Sequence, residues 1–162
     1  MVNSITLSFP EFITHIPQSK KKWIKIGYNK IHAGGHFSIR NALVGAMHSY
    51  LEKHIPLNLD IETPIETHLI VYVPINYGAV KRLKNRDTGD FYINWKPAKP
   101  HYVPNWDIGN LAMIWLKSID DVLQKRGVIK DDTVEFVKKT TYEFREVANL
   151  KDRKLEYILK TI

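Results

Sequence analysis

From Asp107 to Lys125, apolar side chains recur every three or four residues, at Leu111, Trp115, Ile119 and Val122, with Leu116 and Leu123 beside them. That is the period of an α-helix, and a stripe of this width has to be buried against another layer. A second stripe, Ile39, Leu43, Met47 and Leu51, repeats every four residues. Ser38 is placed to cap its start, and Pro56 stops it after His54. The segments around these two helices read as strand. Ile5–Phe9 alternates up to Pro10, and Thr67–Ile75 is an apolar, β-branched run with Pro74 near its end. Val134–Phe144 alternates again, and Lys154–Leu159 reads as a last strand after an exposed turn near Asn149–Arg153. The pattern predicts a mixed α/β (α+β) chain, with a small mixed sheet and two main helices, as one domain over 1–162. A chain of 162 residues suits a single core.

Two stretches depart from this frame. Gln18–Gly35 is basic and polar, and its centre alternates enough for a short strand or hairpin before Gly34-Gly35. Residues 76–106 hold Lys81, Arg82, Lys84 and Arg86, then a D-T-G-D turn at Asp87–Asp90, then Phe91, Tyr92, Trp95 and a proline-rich run. A long insertion with such a turn predicts a hairpin arm. Several function classes drop out. Apolar runs such as Leu69–Pro74 and Leu111–Leu116 fall far short of the roughly 18–20 residues a membrane span requires. The first residues show no basic segment followed by an apolar one, so no secretory signal is expected. With no cysteine there is no disulfide, thiolate zinc site or cysteine nucleophile, which fits a reducing cytoplasm. The seven histidines lack metal-ligand spacing, and no Gly-rich phosphate loop, G-x-S-x-G or H-E-x-x-H motif occurs. No small-molecule cofactor is therefore expected.

The net charge of +7 is unevenly spread. Residues 1–60 carry +4, residues 61–106 carry +2, and residues 107–162 carry only +1. The last third is near neutral because Asp107, Asp120, Asp121, Asp131 and Asp132 gather there. A basic region beside focused carboxylates suits an enzyme that holds a polyanion against a metal, although turn and cap roles explain several of these aspartates equally well. Asp107 and Asn110 stand three apart at the start of a helix, so both can face one spot. Asp131 and Asp132 come after its end. A helix of about 17 residues is roughly 25 Å long. Bringing Asp107 and Asp131 together therefore needs a return loop that doubles back along the helix, or a second subunit. Converged carboxylates form a hard-ligand site for Mg²⁺, and Lys117, two turns along from Asn110, is placed to neutralise charge on a phosphate.

The segment PNWDIGNLAMIWLKSIDDVL, continued by GVIKDDTVEF, resembles the core of the RusA-type Holliday-junction resolvases and their phage-borne relatives. That family shows an Asp-x-Asp-Asn helix start, a helical Lys, an Asp-x-Leu, a Gly and an Asp-Asp before a strand. Asp107 matches the first Asp, Asn110 the Asn, Asp121-Val122-Leu123 the Asp-x-Leu, and Gly127 with Asp131-Asp132 the rest. The first strand and the order of elements also fit, so the likeness covers nearly the whole chain. Gly109 stands where the family has its second Asp, and the helix is about one turn longer. Counting back from Asp121 puts the family's Lys at Lys117; counting forward from Asn110 puts it at Met113.

The resemblance implies a Mg²⁺-dependent endodeoxyribonuclease, with Mn²⁺ as an alternative ion. Such an enzyme works as a homodimer and resolves four-way junctions and other branched DNA in recombination and repair. It implies Asp107, Asn110, Lys117, Asp131 and Asp132 as catalytic residues, with Asp107, Asp131 and Asp132 on the metal. Lys20, Lys21, Lys22, Lys25, Lys30, Lys81, Arg82, Lys84 and Arg86 would contact phosphates. Trp23, Tyr28, Tyr92 and Trp95 would either stack on exposed bases or pack in the core or dimer. The loss of a carboxylate at Gly109 implies the alternative of a relative that binds junctions without cutting them.

Overall fold

A computed structural model describes residues 3–19, 22–27, 31, 36–74, 77–97 and 108–162. Four strands form the central sheet: β1 (Ser4–Pro10), β4 (Ile65–Val73), β7 (Val137–Glu146) and β8 (Lys154–Thr161), in the order β1-β8-β4-β7. β8 runs antiparallel to both β1 and β4, whereas β7 runs parallel to β4. A parallel neighbour needs a crossover, and the crossover here contains the arm and the second helix. Two hairpins stand apart from the sheet: β2 (His15–Ser19) with β3 (Lys22–Lys25), and β5 (Tyr77–Lys84) with β6 (Phe91–Pro97). The helices are α1 (Phe37–His54) and α2 (Ile108–Lys125), and a 3-10 turn at Leu150–Asp152 precedes β8. The chain is thus a mixed α/β fold, with two helices and a four-stranded mixed sheet among the described residues. Among the described residues, no helix is long and apolar enough to cross a membrane.

The core lies between one face of the sheet and the two helices. Leu7 and Phe9 of β1, Ile65, Leu69 and Val71 of β4, and Leu155, Tyr157 and Leu159 of β8 point to the same side by the strand period of two. They meet Leu43, Met47 and Leu51 of α1 and Trp115, Ile119 and Leu123 of α2 in one buried cluster. These are the helical stripes that the sequence shows. Trp115 is fully buried edge-on against Phe12 and Tyr50.

Three local expectations shift. The cap of α1 is His36, whose Nδ1 accepts from the Ser38 backbone amide, so the helix opens at Phe37 and Ser38 lies inside its first turn. An imidazole nitrogen thus takes the acceptor role expected of the Ser38 hydroxyl. The basic hairpin lies earlier than the alternation after Trp23 suggests, because His15–Ser19 supplies its first strand. β7 begins at Val137 rather than Val134. Val134 is 75% exposed in a turn, closed by Phe136 and Val137 amides donating to the Thr133 carbonyl. The arm, by contrast, is the hairpin its turn chemistry implies. Asn85 Oδ1 accepts from the Asp87 amide at 2.9 Å, and Gly89 takes a φ of 76° that favours glycine.

The end of α2 sets the path of the chain beyond it. Gly127 adopts a φ of 71°, its amide donates to the Gln124 carbonyl, and the Val128 amide donates to the Leu123 carbonyl. This paired cap reverses the chain. Val128 and Ile129 then bury themselves in the core, so the segment returns along α2 instead of leaving it. Arg126 ties the same corner to α1: its guanidinium donates to the carbonyls of Glu52 and Ile55, and Lys125 pairs with Glu52 at 2.6 Å. Those carbonyls end α1 and lack helical partners of their own. Arg126→Ala is therefore expected to destabilise the fold by about 1–3 kcal/mol. Lys125→Ala, whose partner is a surface carboxylate, is expected to change it by under about 1 kcal/mol. Urea unfolding of the two variants measures the difference.

Candidate active site

Lys117 sits on the exposed side of α2, and the returning segment passes over it. Its ammonium donates to Asp132 Oδ2 at 2.8 Å and lies 3.0 Å from Asp121 Oδ1, one turn further along the helix. The hydrogen bond from Lys117 holds the Asp132 carboxyl below the usual carboxylate range, and the two carboxylates hold Lys117 above the usual lysine value. Asp131 turns its carboxylate back onto the chain and accepts the Asp132 amide at 2.8 Å, which fixes the corner that presents Asp132. Asp131 and Asp132 thus reach Lys117 on α2 by a return of the chain itself, while Asp107, the other residue of the expected convergence, is outside the described residues. The returning pair arrives two turns back from the C-terminal end of α2.

Below this surface group lies a buried one. Asp120 is 9% exposed and accepts the Tyr157 hydroxyl at 2.5 Å. Burial pushes the Asp120 carboxyl up to about 6, against the lowering effect of the Tyr157 hydrogen bond. Burial likewise pushes the Tyr157 hydroxyl well up, with the Asp120 charge adding to it. Neighbouring aspartates on one helix therefore divide: Asp120 faces the sheet and Asp121 faces the solvent side. His48 on α1 completes the surface group, with Nε2 3.9 Å from Asp121 Oδ2.

The structure sorts the sequence-predicted residues into distinct places. Lys117, Asp131 and Asp132 come together. Lys117 pairs with two carboxylates, and Met113 is an exposed apolar side chain. Asn110 lies half-buried in the first turn of α2, two turns before Lys117. Asp107 is outside the described residues. At Gly109 an added Cβ would meet, among the described residues, only the Tyr142 hydroxyl of β7, 3.9 Å away, an ordinary contact. Of the basic residues, Lys22 and Lys25 lie on β3, and Lys81, Arg82 and Lys84 lie on β5. Arg86 is exposed in the arm's turn, while Lys20, Lys21 and Lys30 are outside the described residues. Trp23 lies on β3 and Tyr92 and Trp95 on β6; Tyr28 is outside the described residues. Sequence reasoning missed His48. Its partner is 73 positions away, and only the packing of α1 on α2 brings them together.

Among the described residues, no three His, Asp or Glu side chains converge to hold a metal ion. Asp131 and Asp132 supply two hard oxygen donors, and one of them already carries Lys117. Mg²⁺ is commonly held by one or two carboxylates, with waters and phosphate oxygens completing its shell, so Asp131 and Asp132 would suit it provided Asp132 shared its carboxylate with Lys117. The described arrangement is an ammonium clamped between two carboxylates, with the Asp131 carboxylate beside them. No protein-family model and no curated protein matches the chain.

Proposed function

We propose that the chain is a structure-selective endodeoxyribonuclease acting on four-way DNA junctions and related branched DNA, dependent on Mg²⁺ or Mn²⁺ and working as a homodimer. One observation carries the reading. The pieces of the motif that resembles the RusA-type resolvases, Lys117, Asp121 and Asp132, are spread over 16 residues of sequence and meet at one ammonium. A fixed cation of this kind stabilises the charge that develops on a phosphodiester under attack. In this reading Asp107 joins Asp131 and Asp132 as a metal ligand, and Asn110 helps orient the site. The ion, when bound, lowers the pKa of a coordinated water. A two-fold dimer matches the two-fold symmetry of a four-way junction.

The basic hairpins supply the grip on phosphates. Replacing Lys81, Arg82, Lys84 and Arg86 together by alanine is expected to reduce the slope of log Kd against log salt by about 3–4, near 0.9 for each lost phosphate contact. Filter binding of a labelled junction over a salt series reads it directly. An unchanged slope removes the arm from the interface.

Gly109 favours a second reading, a junction-binding protein that does not cut, because a carboxylate of the resembled motif is missing there. The deciding experiment incubates purified protein with a synthetic four-way junction across a Mg²⁺ and Mn²⁺ series. Paired nicks at the branch support the nuclease. Tight junction binding without nicks at any metal concentration supports the second reading. A junction affinity no better than that of an unrelated basic protein, measured at ~150 mM salt, removes both.

A further inference from the structure

Lys117 has two acidic neighbours, and they are of different kinds. Asp132 lies on the segment that returns after α2. Asp121 belongs to α2 itself and is framed by the buried Val122 and Leu123, so its position depends on the helix and not on the loop. Its two oxygens are divided: Oδ1 faces the Lys117 ammonium at 3.0 Å, and Oδ2 faces His48 Nε2 at 3.9 Å. That nitrogen is buried and has no hydrogen-bond partner. A movement of about 1 Å would bring it within hydrogen-bond distance of Asp121.

A lysine with a half-exposed side chain is flexible along four bonds, and one surface ion pair holds it poorly. Two carboxylates, one from the helix and one from the returning segment, hold it better. The one on the helix also keeps it in place when the other is taken up by substrate or metal. A cation placed beforehand needs no reorganisation when phosphate charge develops. We propose that Asp121, backed by His48 from α1, is a positioning residue that fixes the Lys117 ammonium over Asp132. Its purpose rests on the nuclease reading; its geometry does not.

Full-length protein labelled at lysine with ¹⁵N and ¹³C tests the proposal by the Lys117 ammonium resonance in mildly acidic buffer. The resonance is assigned by its disappearance in Lys117→Arg. An ammonium held by two carboxylates exchanges slowly enough to be seen. It is expected in the wild type and in Asp121→Glu, weakened in His48→Ala and lost in Asp121→Asn. In single-turnover junction cleavage, Asp121→Asn is expected to be slower by about tenfold, with the junction Kd within about twofold of wild type. Thermal melting confirms that each variant folds. A resonance that survives Asp121→Asn overturns the proposal, as does its loss with an unchanged cleavage rate. An unweakened resonance in His48→Ala overturns the part assigned to His48. If the wild type never cuts, the nuclease reading fails, and the ammonium resonance alone decides whether Asp121 holds Lys117.

Discussion

Gly109→Asp is expected to raise junction nicking by about 100-fold or more, equivalent to about 2.7 kcal/mol of barrier. Residue 109 lies at the start of α2, where the resemblance to the RusA-type resolvases calls for a second carboxylate. The backbone there does not require glycine: its φ lies outside the left-handed region, and among the described residues an added Cβ meets nothing closer than the Tyr142 hydroxyl at 3.9 Å. The substitution therefore adds a hard donor without a clash, and an aspartate in the first turn of a helix is favoured by the helix dipole. Tyr142, 44% exposed on β7, stands within reach to donate a hydrogen bond to the new carboxylate. On the nuclease reading both carboxylates would serve one metal site, so the gain should depend on Mg²⁺ or Mn²⁺ and disappear when Asp132→Asn is added. Initial nicking rates for the wild type, Gly109→Asp and the double variant measure it. Equal rates in the wild type and Gly109→Asp would show that a carboxylate at 109 is no part of the chemistry.

The features that make α2 and β4 legible are physical periods. An apolar residue every three or four positions can be buried only by a helix. A β-branched run of β4's length can be buried only by a strand with neighbours on both sides. Gly127 is equally readable, since a glycine after Lys125 and Arg126 ends a helix in the left-handed turn observed. The hairpin of β2 and β3 is harder, because His15–Ser19 is short and contains Pro17, which weakens any strand signal. The direction taken after α2 has no local signature. It depends on Val128 and Ile129 finding the core, a tertiary event, and Asp131 and Asp132 reach Lys117 only because of it. The different fates of Asp120 and Asp121 come from helix geometry once the buried face is known. Adjacent residues point about 100° apart, so a pair of aspartates straddles the boundary between core and surface. His48 lies on α1, whose own stripe says nothing about which neighbour its edge will meet.

Asp120→Asn is expected to stabilise the protein at neutral pH by up to about 3 kcal/mol, and hardly at all near pH 4. The sign comes from burial. Asp120 is pushed up to about 6 from an ordinary 3.8, so between those values the folded state binds more protons than the unfolded one. Stability attributable to this group is therefore full below the ordinary value, falls as pH rises through the window and is lowest above about pH 6. There a charged carboxylate is held beside the buried Tyr157 with little water. The Tyr157 hydrogen bond and the Lys117 charge offset part of that penalty, while the Asp132 and Asp121 charges add to it. Asparagine keeps an oxygen for the Tyr157 hydroxyl and removes the charge. Other groups titrate over the same range in both proteins, so the difference between variant and wild type isolates Asp120. Urea unfolding of each at pH 4 and at pH 7.5 supplies that difference. A gain of the same size at both values would mean that the Asp120 charge is not what burial penalises. A loss at pH 7.5 would mean that the Tyr157 pair needs the ionised carboxylate, and with it that the surface group on Lys117 rests on a charged foundation.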